Sequence, residues 1–137
     1  MWYVFALLSA LFAALTAIFA KIGVKDVNPD LATAIRTVVI LIVAWMIVLV
    51  RGGMDSISTL SRTNWIFLTL SGLATGLSWV FYFKALQVGK VSQVAPVDKL
   101  SVALAIILSV VFLKEALTLK MAIGALLIIA GTLVLIF

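Results

Sequence analysis

The chain has no cysteine and no histidine. That removes disulfides, thiolate nucleophiles, imidazole acid–base groups and the usual zinc or haem ligands, so neither a metal centre nor a cofactor is expected. Acidic side chains are nearly as scarce, with five Asp and Glu in 137 residues. Only Asp98 and Glu115 are candidates for an acid or a base, and the order of the apolar runs sends them to opposite ends of the molecule. An enzyme is therefore not expected. Lys and Arg outnumber the acids ten to five, but they stand singly near the ends of apolar runs. That pattern is interfacial anchoring, and no nucleic-acid partner is expected from it.

What fills the chain is apolar surface. Hydrophobic residues make up 66% of it and charged ones 11%, against roughly half and a quarter in soluble domains. A soluble domain needs polar surface to cover its core, and here the polar stretches are short breaks between apolar runs. Five runs approach the roughly 20 residues that cross a hydrocarbon core: 2–20, 31–50, 65–88, 91–113 and 117–137. Short breaks between them predict an all-α membrane protein, an up-down bundle of five transmembrane helices forming one domain over 1–137. A multi-pass location in the plasma or inner membrane follows. The first run lacks a basic leading segment and is long enough to span, so it is expected to be a retained helix rather than a cleaved signal.

Polar groups inside the runs are the candidate functional residues. Arg36 lies in the second run, Lys84 in the third, and Asp98 and Lys99 in the fourth, just after Pro96. Intramembrane charges are costly and face a partner or a wet cavity. Pairing of Arg36 with Asp98 or Lys99 with Asp98 is the ordinary structural expectation, weighed evenly against a direct role in binding or coupling. For Lys21 and Lys84, snorkelling to the headgroups is the simpler expectation. Ser71, Thr75, Ser78 and Tyr82 fall on one stripe of the third run, and Ser9 and Thr16 on one of the first; such hydroxyls either line a polar path or bond back to their own helix. Trp79 is mid-span, so its indole N–H needs protein or a cavity. Arg36, Thr75, Trp79, Tyr82, Asp98 and Lys99 are thus the candidates for substrate binding or coupling. Gly72 and Gly76, and Gly124 and Gly131, have spacings that let helices approach closely; packing within the chain is expected before a dimer seam.

The stretch FYFKALQVGKVSQVAPVDKLSVALAIILSVVFLKEALTLKMAIGALLIIAGTLVLIF, residues 81–137, resembles the EamA-type repeat of the drug/metabolite transporter superfamily. The carrying features are an Ala-Leu late in the third helix, a Pro early in the fourth, Glu115 after it, and Gly124 and Gly131 in the fifth. The opening ALLSALFAALTAIFAKIGV, residues 6–24, is similar to the family's first helix. The resemblance implies half of an inverted-repeat transporter, since typical members carry two such repeats around a central cavity. It therefore implies an antiparallel homodimer, or a heterodimer with another half-size protein, moving a small-molecule solute across the lipid bilayer. Asp98 and Lys99 stand where many relatives are apolar, so the resemblance assigns them no role.

Excess positive charge toward one end favours an anionic or zwitterionic solute, and Asp98 is the candidate for proton coupling. The alternative is a non-transporting subunit that anchors or stabilises a partner complex. Basic residues flank both faces, with Arg51, Arg62, Lys114 and Lys120 on one and Lys21, Lys25 and Lys90 on the other, too even a division to fix one orientation.

Overall fold

The computed structural model describes residues 1–137, all helix and connecting turn. The elements are α1 (Trp2–Gly23), α2 (Pro29–Val50), a 3-10 helix (Gly53–Thr59), α3 (Arg62–Val88), α4 (Val91–Asp98), α5 (Leu100–Phe112) and α6 (Leu119–Ile136). Five candidate spans result, with α4 and α5 together supplying the fourth, Val91–Phe112. At about 1.5 Å per residue, spans of 18 to 27 residues reach about 27 to 40 Å, enough for a hydrocarbon core of about 30 Å.

Local sequence sets the ends. Asn28 caps α2, its Oδ1 accepting from the N–H groups of Asp30 (2.8 Å) and Leu31 (3.2 Å). Pro29 follows at the first helical position, where its missing N–H costs nothing. Gly52, at φ +68°, ends α2 in the left-handed region that glycine enters freely. Ser61 Oγ accepts from the Asn64 N–H at the start of α3, and Thr118 Oγ1 from the Met121 N–H at the start of α6.

The chain forms two compact units, Phe19–Gln87 and Met1–Ile18 with Val88–Phe137. In the first, Val24, Thr33, Phe83 and Leu86 are buried. Its turn after α1 is tied to the end of α3: Gln87 Nε2 donates to the carbonyls of Val24 (3.3 Å) and Val27 (2.9 Å), and Lys21 Nζ donates to the Leu86 carbonyl. The lysine is thus engaged at an open helix end, not merely snorkelling, because the last carbonyls of a helix have no partner of their own. In the second unit Ala17, Ala103 and Thr132 are buried, and α6 packs on α4 and α5.

Most of each span is not covered by the chain itself. Leu7, Val39, Phe67, Leu108 and Leu127 are all exposed. Lipid or another subunit must cover them, which is the arrangement the apolar runs predict. Nothing within its own unit comes within 4 Å of a Cβ built on Gly72, Gly76, Gly124 or Gly131. Within their own units they are not used for close packing. Spacing alone cannot say which neighbour a small-residue face meets.

An odd number of spans puts residues 1 and 137 on opposite faces of the membrane. Because the chain has no native cysteine, a cysteine introduced at either end is its only thiol. Impermeant labelling should reach one end and not the other in any one molecule; labelling of both from the same side would contradict five spans.

Candidate functional site

Arg36 enters on α2, about 10 Å along the helix from Pro29, and meets α3. Its guanidinium carbon lies 4.4 Å from the centre of the Trp79 ring and 5.3 Å from that of Phe83. Trp79 and Phe83 are four residues apart, hence neighbours on one face of α3. Tyr82, three residues from Trp79, interacts electrostatically with the same guanidinium. Arg36, Trp79 and Tyr82 are half-buried and Phe83 is buried. Each cation–ring contact is worth about 0.5–2 kcal/mol, more as water is excluded, so the rings hold the charge in an apolar setting without neutralising it.

The ion pairs lie elsewhere. Lys84 Nζ is 3.3 Å from Asp30 Oδ1, and Lys99 Nζ is 3.4 Å from Asp98 Oδ2. Neither includes Arg36, whose neighbours in its own unit are the rings of α3; Asp98 belongs to the other unit. Lys84, expected to snorkel, has a carboxylate partner across the α2–α3 contact. Both pairs are well exposed to the surroundings.

Thr75 does not join this group: it is exposed, and its Oγ1 donates back to the Ser71 carbonyl at 2.9 Å. The third-run stripe is in this respect ordinary helix back-bonding. An open cleft of about 410 Å³ in the same unit is lined by Lys21, Ile22, Val24, Lys25 and Gln87, with none of the ring residues in its wall.

Asp98 and Lys99 belong to the other unit, at a break. Pro96 lacks the N–H that would serve the Ser92 carbonyl, and the helix tightens after it. The Lys99 N–H is shared between the carbonyls of Ala95 (3.3 Å) and Pro96 (3.0 Å), and the Val102 N–H returns three residues to Lys99 (3.0 Å). Thr132 of α6, 4% exposed, donates from Oγ1 toward the Pro96 carbonyl (3.2 Å) and its own Ile128 carbonyl (2.8 Å). The half-buried Asp98 follows this disturbed turn. Phe83, Asp30 and Thr132 were absent from the sequence-derived candidates. For Phe83 the signal was there, in its four-residue spacing from Trp79; for Asp30 and Thr132 the partner lies on another helix, 54 and 36 residues away in sequence.

Five apolar spans with charged groups set inside them define a multi-pass α-helical membrane protein. The sequence matches the EamA-like transporter family over residues 1–137, and the chain belongs to that family. It is 52% identical over 134 residues to a Sinorhizobium sp protein named as an uncharacterized transporter in the cobO 3′ region, covering 98% of this chain and 95% of that one. It is 31% identical over 132 residues to an uncharacterized Methanocaldococcus jannaschii protein, covering 96% of this chain and 93% of the relative. Both relatives are thus of single-repeat length. No solved structure matches the chain.

Proposed function

We propose that the protein carries small anionic or zwitterionic metabolites across the cell membrane as an antiparallel dimer, with Asp98 coupling transport to protons. The observation that carries the substrate class is Arg36, an intramembrane guanidinium held on Trp79 and Phe83 with neither ion pair spent on it. A charge kept in an apolar span without a carboxylate is favourable when a ligand supplies the counter-charge. A thermal-shift screen of anionic, zwitterionic and cationic metabolites tests this directly, since a ligand that binds the native state raises its apparent stability. Anions and zwitterions should stabilise the protein by several degrees and cations should not; a preference for cations would contradict the reading.

The dimer is supported by the single-repeat length shared with both relatives, by apolar spans left largely exposed, and by glycine faces with no neighbour inside their own units. Two copies in opposed orientations rebuild an inverted pair. Reporter fusions at residue 137 should then give signal from both sides of the membrane in comparable amounts. A single orientation would defeat the homodimer and direct attention to a second half-size chain.

A further inference from the structure

Resting on the transport reading above, we infer that the substrate carries a carboxylate that Arg36 holds in a two-pronged hydrogen bond, with Trp79 and Phe83 orienting the guanidinium. The rings contact the cation through their faces. Contact of that kind restrains the guanidinium plane while its edge N–H groups remain the part suited to an oxyanion, and two parallel N–H groups match the two oxygens of a carboxylate. Charge sets the preference between oxyanions. Lys84 is matched by Asp30, and Lys21 and Arg62 stand at helix ends, so Arg36 is the unmatched positive charge set inside a span of its own unit. A monoanionic carboxylate balances it, whereas a phosphate dianion leaves one charge uncompensated in an apolar setting. A lysine would supply the charge without the fork or the ring stacking, so Arg36 is specifically the residue that reads carboxylate shape.

The test uses purified full-length protein with matched probes: lactate against lactamide, benzoate against benzamide, and inorganic phosphate. At least one carboxylate should bind, its amide should bind at least tenfold more weakly, and phosphate should not compete with it. Arg36→Lys should weaken the carboxylate by tenfold or more while leaving the helical content unchanged. In wild-type protein, peptide mapping after phenylglyoxal treatment should show Arg36 protected by the carboxylate and not by the amide, a readout that holds even if the variant does not fold. Equal binding of acid and amide, full affinity in the lysine variant, tighter binding of phosphate, or no protection of Arg36 would each overturn the inference. Carrier-mediated flux of any solute in the same preparation keeps the transport reading standing when this one fails, and its absence with every solute removes both.

Discussion

Asp98→Asn should abolish proton-coupled uptake or exchange while the protein still inserts and folds. Asn keeps the shape of the side chain and loses both its charge and its proton site. The position is sensitive because Asp98 is the one carboxylate set within a span beside a proline-induced break, where Pro96 has no N–H to offer the Ser92 carbonyl and Thr132 donates to the Pro96 carbonyl. Its partner Lys99, the next residue in the chain, lies 3.4 Å away. The pH dependence of uptake should vanish and gradient-driven accumulation should fall at least tenfold. Unchanged pH dependence in the Asn protein would rule out Asp98 as the coupling residue; loss of assembly would instead make the Asp98–Lys99 pair structural.

The second large effect concerns the open glycines. Replacing both Gly124 and Gly131 with Leu should break the dimer and leave the protomer intact. Within the protomer's own unit an added Cβ meets nothing within 4 Å at either position, so the substitution has little to disturb there. At a close helix–helix seam the same side chains hold the backbones apart, costing about 1–3 kcal/mol each by overpacking. Two such substitutions weaken association by about thirtyfold or more. Crosslinking in membranes should show the dimer lost and transport lost with it, with unchanged circular dichroism. Retained dimer and full transport would move the seam elsewhere, with Gly72 and Gly76 as the next face to test.

How far the sequence could be read depended on the range of the interaction. The five spans were legible because hydropathy is summed along the chain, and all five runs coincide with the helices to within a few residues. The break in the fourth span follows Pro96, whose missing N–H is a property of one residue and so visible in the sequence. Trp79 stands out in the sequence as a mid-span indole that needs a partner, and Tyr82 as one of a stripe of hydroxyls, because both are properties of a single helix. The identity of the partners was not legible: that Arg36 meets the rings of Trp79 and Phe83 depends on which helices pack, and neither composition nor spacing specifies that. Asp30 lies just outside the 31–50 run in the sequence, and only the proximity of α3 makes it the partner of Lys84. The glycine spacings told of close approach but not of the neighbour approached.

The most direct test of the account is solute flux through the pure protein. Reconstituted alone into liposomes, in both orientations, it should accelerate entry of a carboxylate metabolite at least tenfold over protein-free vesicles, with Arg36→Ala returning the rate close to background at the same protein density. Correctly inserted protein that moves no member of a broad panel of carboxylates, zwitterions and cations would contradict it, and would mark the chain as a membrane subunit that acts through a partner.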